Sequence, residues 1–360
     1  DRWTQAARMM SSLGIPLVQG LRMLVNGPSG QLVQIPEPDE DCVMEPGQNL
    51  RQTLDILAGK VPVSIPELPS RLDALMRPYQ KEGFSFLYRI TEQGFGACLA
   101  DDMGLGKTLQ AIAWLDTLRR KGRLEGLPAL IVAPASLLSN WKEEAQRFAP
   151  ELILRIMHPS SPNPWQPEKT LRRKDCHAVI TTYGMAARTS ALADLHFPAI
   201  ILDEAQAIKN AGSARSRAIR SLHGERRIAL SGTPVENNLN ELWSLMEFLN
   251  PGLLGSRKSF ESFTRSLERG YAPLRRLVRP FILRRMKTDP ALVPDLPDKT
   301  EIPAYCSLTP EQAALYQTQI DMLHAVLDEP DPAARLMLIL PILARLKQIC
   351  NHPAQFQGTD

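Results

Sequence analysis

The sequence predicts an α/β fold: a parallel sheet with helices on both faces, built around a glycine-bearing loop. Three observations carry this prediction. Residues 101–108 read Asp-Asp-Met-Gly-Leu-Gly-Lys-Thr. They lie between a short apolar stretch, Ala97-Cys98-Leu99-Ala100, and a segment at 109–121 with apolar residues at helical spacing. A continuous apolar run of strand length follows at 129–133, and further strand-like stretches recur at 178–183, 198–202 and 227–230. A run that is apolar at every position, rather than at alternate ones, marks a strand covered on both faces, as parallel sheets require. Finally, polar clusters follow several runs directly: Pro134-Ala135-Ser136, Asp203-Glu204-Ala205-Gln206 and Ser231-Gly232-Thr233-Pro234. Ligands of open parallel sheets sit beyond the carboxyl ends of the strands, so fold and chemistry point to one edge.

A strand, a glycine-bearing loop ending in Gly106-Lys107-Thr108 and a helix form the geometry that holds a nucleoside triphosphate. Glycines such as Gly104 and Gly106 let the backbone wrap the phosphates, and N–H groups of Met103 to Thr108 at the helix start donate to them. Lys107 supplies a charge to the outer phosphates and the Thr108 hydroxyl a ligand for Mg²⁺. One residue departs from the general G-x-x-x-x-G-K-[ST] pattern: Asp101 stands where the first glycine belongs. The Asp203-Glu204 pair is the second signal. An Asp after a buried strand can hold Mg²⁺ opposite Thr108, and the adjacent Glu can orient and deprotonate water.

Composition is that of a globular protein, 44% hydrophobic and 22% charged over 360 residues, a length that suggests two domains. No apolar run reaches membrane-spanning length; 336–344 is short and contains Pro341. The chain begins at Asp1 with neither an initiator Met nor a secretory leader, and reads as a fragment of a longer protein. Its five cysteines are far apart with no C-x-x-C pair, which argues against zinc and for a reducing compartment. Net charge is only +3, but 257–287 holds ten Lys/Arg against Glu261 and Glu268, a local +8. Such a run is either a solvated helical face or a surface for a phosphate backbone.

In chain order, 1–70 is a flanking segment. Short elements are expected at 17–21 and 50–57, with extended linkers at 36–47 and 61–69. A helix begins at Arg77-Pro78-Tyr79-Gln80, with Phe84, Leu87 and Tyr88 as its apolar stripe; the Gln80 amide can both donate to and accept from an adenine edge. Further helices are expected at 138–148 and 213–221, a strand at 152–157 and a polar surface loop at 158–175. Leu239, Leu242, Trp243, Leu245, Met246, Phe248 and Leu249 give an amphipathic helix; with the basic stretch, 236–289 reads as a helical protrusion outside the sheet. A linker at 290–297 leads to helices at 309–327 and 335–350, where Leu315, Ile320 and Leu323 are core positions.

These residues resemble the SWI/SNF-type ATPases, double-stranded DNA translocases of helicase superfamily 2. Arg77-Pro78-Tyr79-Gln80 looks like the family's adenine-reading motif, and Ala100–Thr108 like its phosphate loop, which carries Asp at the place of Asp101. Ile131–Trp141 and Ile180–Tyr183 resemble its DNA-strand motifs. Asp203–Gln206 resembles its metal and water-activating motif, although His is more usual at Gln206, which puts that residue's inter-lobe contact in question. Leu230–Asn238 resembles the coupling motif, and Leu283–Lys287 and Leu346–Pro353 later signatures. The resemblance covers about 71–353 and implies a RecA-like first lobe at 71–235, the protrusion at 236–289, and a connection with the start of a second lobe at 290–360. It implies ATP and Mg²⁺ as cofactors and Lys107, Asp203 and Glu204 as catalytic residues. Gln206, Ser231 and Thr233 would couple hydrolysis to motion, and Ser136, Lys142, Thr181 and Asn237 would touch the DNA backbone. Arg284 and Arg285 fall in the inter-lobe connection, and the arginines that complete the ATP site lie in a second-lobe core this chain does not reach. The chain is therefore expected to bind Mg-ATP but to cleave it slowly alone. The expected partner is duplex DNA, read without sequence preference, with protein partners through flanking regions, no membrane, and a cytoplasmic, nucleoid-associated or nuclear location. Two other readings share the ATP motifs: a strand-separating helicase of the DEAD/DEAH type acting on RNA or single-stranded DNA, and a non-catalytic module in which nucleotide regulates partner binding.

Overall fold

The computed structural model describes residues 56, 61, 64–159, 161, 176–234, 238–265, 271–289, 292, 302, 305–327 and 331–358. The elements expected at 17–21 and 36–47 lie outside these residues, as do most of 50–57, the 158–175 loop and the 290–297 linker. The chain forms two compact units, Asp1–Pro294 and Asp295–Asp360.

The first unit is a RecA-like sheet of seven strands: β1 (Ala97–Leu99), β2 (Ala129–Ala133), β3 (Leu154–Met157), β4 (Ala178–Thr182), β5 (His196–Leu202), β6 (His223–Leu230) and β7 (Ile282–Leu283). Their order is β3-β4-β2-β5-β6-β1-β7, and every pairing is parallel. All residues of β1 and β2 are buried. Because successive side chains point to opposite faces, this requires cover on both. Helices α1 (Ser70–Leu75), α2 (Pro78–Glu92), α3 (Lys107–Arg120), α4 (Leu138–Phe148), α5 (Tyr183–Arg188), α6 (Ala214–Arg220) and α7 (Leu239–Leu249) provide the layers. The chain runs from β1 through β2 to β3 in one direction along the sheet and then reverses to β7. With right-handed crossovers, this reversal sends α3 and α4 to one face and α5, α6 and α7 to the other. Neighbouring β1 and β6 therefore feed opposite faces, and a crevice opens at their carboxyl ends.

Two buried polar contacts lock this frame. Trp114 on α3, with no exposed surface, donates its indole N–H to the Thr91 hydroxyl of α2 at 3.1 Å. Asn250, just past α7, pairs with Gly96 as a neighbouring strand would, accepting from its N–H at 2.9 Å and donating to its carbonyl at 3.1 Å. A Cβ at Gly96 would stand 2.8 Å from the carbonyl carbon and Cα of Leu249, closer than real contacts allow and against backbone that cannot rotate away. Gly96→Ala is expected to destabilise the full-length protein by about 1–3 kcal/mol, read as a lower denaturation midpoint. An unchanged midpoint would contradict this packing.

The segment 236–289 differs from its sequence reading. Helices are present there: α7, α8 (Arg257–Arg265) and α9 (Ala272–Val278). But α7 is buried around almost its whole circumference, Glu241 and Ser244 included, and its apolar residues share one core with the sheet, as does Phe281. The segment then returns to the sheet as β7, with Cys98 opposite Ile282 and Leu99 opposite Leu283. A two-residue strand ahead of two arginines is announced only by the three-residue apolar run at 281–283, too short to mark a strand. β6 also starts earlier than its apolar run, at His223, because its first residues lie at the exposed rim.

The second unit contains α10 (Pro310–Leu327), α11 (Pro332–Asn351) and α12 (Pro353–Gln357). Gln312 at the start of α10 donates to the carbonyls of Ile349 and Cys350 at the end of α11, which makes the pair antiparallel. Ile342, Leu346 and Ile349 are buried; Leu315, Ile320 and Leu323, expected as core, are only half-buried. Among the described residues no helix is long and apolar enough to cross a membrane.

Candidate nucleotide-binding site

The loop after β1 has the shape its glycines dictate. Gly104 and Gly106 take positive φ, +80° and +75°, a region that side chains with a Cβ rarely adopt. Gly106 is the N-cap of α3, so the free N–H groups of the first helical turn face the loop. Lys107 is buried, and its ammonium donates to the carbonyls of Asp101 at 2.7 Å and Asp102 at 3.3 Å, which folds it back under the loop. Thr108 follows it, half-buried; Leu105 is buried against Tyr79, whereas Met103 is 70% exposed at the crest.

Gln80 lies beside this loop. Its Oε1 accepts from the Arg77 N–H at 2.9 Å and caps α2; its Nε2 donates to the Leu105 carbonyl at 3.2 Å. The segment expected to read adenine is thus fastened to the phosphate loop, and much of the Gln80 amide is engaged by protein. Arg77 is exposed at the same corner.

Two strands along, β5 delivers Asp203, its N–H bonded to the Val132 carbonyl at 2.8 Å. The carboxylate accepts from the Trp141 indole at 2.7 Å and from the Glu204 N–H at 2.9 Å, and the Tyr183 hydroxyl donates to the Asp203 carbonyl at 2.7 Å. Burial pushes the Asp203 carboxyl up from its ordinary value, while the Trp141 hydrogen bond pulls it down. Glu204 has φ +49°, and is the non-glycine residue with positive φ among those described. From it runs a hydrogen-bond chain across β5 and β6. Gln206 Nε2 donates to Glu204 at 2.6 Å, Ser231 Oγ donates to Gln206 Oε1 at 2.9 Å, and the Thr233 N–H donates to Ser231 Oγ at 3.1 Å. A Cβ on Gly232 would meet Met103 Cγ at 3.3 Å and Lys107 Nζ at 4.0 Å, so the end of β6 abuts the phosphate loop. The Thr108 hydroxyl and Asp203 carboxylate are hard oxygen donors, suited to Mg²⁺.

The residues expected to touch DNA fare unequally. Ser136 is exposed in the turn after β2, and Lys142 is exposed on α4. Thr181 is a correction: it has no exposed surface, and its hydroxyl donates to the Met157 carbonyl at 2.8 Å within the sheet. The adjacent Thr182 caps α5 through Met185. Asn237 lies outside the described residues. The basic stretch also loses a member, since Arg285 is buried on Asp101 rather than presented to a partner. Sequence reasoning missed Arg285 and Trp141 as members of the site. The Trp at 141 follows an apolar strand by one helical segment, but nothing local shows that its N–H meets Asp203.

A phosphate loop, an Asp-Glu pair two strands away and a RecA-like sheet define a P-loop nucleotide-binding protein of the helicase-like kind. The chain belongs to the SNF2 family: the model of the SNF2-related domain matches residues 79–355. YwqA of Bacillus subtilis, named as an ATP-dependent helicase/translocase, is 43% identical over 288 residues, covering 78% of this chain and 31% of that protein. The chromatin-remodeling ATPase INO80 of Vanderwaltozyma polyspora is 36% identical over 322 residues, 82% of this chain and 20% of its own length. The Sulfolobus solfataricus SWI2/SNF2 ATPase core, solved in complex with double-stranded DNA, is 41% identical with a TM-score of 0.59, covering 83% of this chain and 63% of that one. This chain thus spans less than a third of these two curated relatives.

Proposed function

We propose that the chain is the nucleotide-binding lobe of an ATP-driven motor that moves along duplex DNA without separating its strands. One observation carries this reading: loop 101–108, the Asp203-Glu204 pair and the Ser231–Thr233 turn converge at the carboxyl edge of one parallel sheet, joined by the chain from Glu204 to Thr233. Arg77 and Gln80 flank the adenine, and Met103 to Thr108 hold the phosphates. Thr108 and Asp203 are the residues to hold Mg²⁺, which when bound neutralises phosphate charge. Glu204 orients and deprotonates the attacking water. Gln206, Ser231 and Thr233 transmit the state of the site. Exposed Ser136 and Lys142, with Asn237 and the accessible bases of 257–287, take the DNA backbone, contacts that carry no sequence information. Family membership and the DNA-bound structural relative support this assignment.

The test is ATP turnover by the full-length protein with duplex DNA, single-stranded DNA or RNA, together with a strand-displacement assay. Stimulation by duplex of about tenfold or more, as for ligands that complete such a site, without displacement, is the expected result. Stimulation by RNA alone, or efficient unwinding, would replace this reading with a strand-separating helicase.

A further inference from the structure

Asp101 stands where the general phosphate loop has a glycine, and it has no exposed surface. A buried carboxylate needs a partner. That partner is Arg285, 184 residues away in sequence and 8% exposed in its side chain, bound in a two-pronged pair: Nε to Oδ1 at 2.9 Å and Nη2 to Oδ2 at 2.5 Å. The rest of the guanidinium is also engaged. It donates to the Tyr79 carbonyl, donates to Gln110 Oε1 at 3.1 Å and lies 5.3 Å from the centre of the Tyr79 ring. Gly83 makes room for it, since a Cβ there would stand 2.6 Å from Arg285 Nη2. The backbone repeats the attachment. The Ala100 N–H donates to the Leu283 carbonyl at 2.6 Å, the Asp102 N–H to the Arg285 carbonyl at 3.0 Å, and the Lys287 N–H to the Asp102 carboxylate at 2.9 Å. Residues 283–287 are therefore a wall of the phosphate loop, laid down by the strand that closes the helical segment.

We infer that Arg285 is a positioning residue of the nucleotide site. It fixes the side chain of Asp101, whose main-chain carbonyl accepts from the Lys107 ammonium at 2.7 Å, and so sets where Lys107 meets the outer phosphates. With aspartate at position 101, the shape of the loop depends on β7 and the residues after it. Affinity for the triphosphate is thereby tied to the seating of the segment that follows the helical insertion. This inference rests on the reading of 101–108 as the ATP loop.

The experiment uses the full-length protein and a fluorescent ATP analogue with Mg²⁺. Arg285→Gln and Asp101→Asn should each weaken binding about tenfold or more, because each leaves a buried polar group without its designed partner. The double variant, with neither charge, should recover to within about threefold of the parent, a coupling that independent sites do not show. Arg285→Lys, which keeps the charge but not the two-pronged geometry, should fall between. Duplex binding without nucleotide should stay within about twofold throughout, since none of these groups is placed on the DNA path. Single variants that bind nucleotide like the parent, or a double variant as weak as the product of the singles, would overturn the inference. If Arg285→Gln does not fold, Arg285→Lys carries the same comparison. A parent protein that binds no nucleotide would instead remove the ATP-loop reading beneath it.

Discussion

Glu204→Gln in the full-length protein is expected to lower duplex-stimulated ATP turnover by about 10²–10⁴-fold, the range for losing a general base. Mg-ATP binding should persist. The substitution keeps the length and planarity of the side chain, so an amide oxygen can still accept from Gln206, as the Glu204 carboxylate does at 2.6 Å. What it removes is the capacity to take a proton. The backbone supports a dedicated role. Glu204 is held at φ +49°, which costs a non-glycine residue on the order of 1–2 kcal/mol. The surrounding hydrogen bonds, including its own N–H to Asp203, hold it there. A surface glutamate without a task would relax. Steady-state turnover on saturating duplex, with nucleotide affinity measured in parallel, separates loss of chemistry from loss of binding. Turnover retained within about twofold of the parent would sink the base assignment and favour a module in which nucleotide only regulates binding.

Much of this architecture is legible in the chain because its signals are local. β2 occupies the apolar run 129–133 residue for residue, and α4 fills 138–148 as its pattern predicts. The same locality explains the failures. β7 is two residues long and stabilised by pairing with β1, so its cause lies nearly two hundred residues upstream. The aspartate at 101 looks like a family mark in the sequence; its physical reason, the guanidinium of Arg285, can be seen only when the sheet brings them together. Thr181 fails through parity: adjacent strand residues face opposite ways, and Thr181 turns inward to Met157 while its neighbour Thr182 caps a helix. Gln206 shows the reverse case. Its departure from the usual histidine puts its inter-lobe contact in question, a point local sequence does not settle; within this lobe its amide bridges Glu204 and Ser231 by using one end as donor and the other as acceptor.

The second large effect is expected at Trp141, where core and site are one side chain. Trp141 has no exposed surface, and its indole N–H ends on Asp203 at 2.7 Å. Trp141→Ala should destabilise the full-length protein by about 3–5 kcal/mol, the cost of emptying a large aromatic site in a packed interior. Trp141→Phe tests the polar part alone. It retains most of the ring volume but leaves one carboxylate oxygen of Asp203 without its donor, at a cost of about 1–3 kcal/mol for an unmatched buried group. Burial already disfavours the charged form of Asp203, and this hydrogen bond is the largest influence opposing that shift. Removing it should weaken Mg-dependent nucleotide binding, and so turnover, more than the modest loss of stability explains. Denaturation midpoints compared with turnover for the two variants decide the matter. If Trp141→Phe matches the parent in both, the indole serves packing only. If it loses turnover while remaining folded, then α4, which also carries Lys142 on its exposed side, reaches the Asp-Glu pair through a single hydrogen bond.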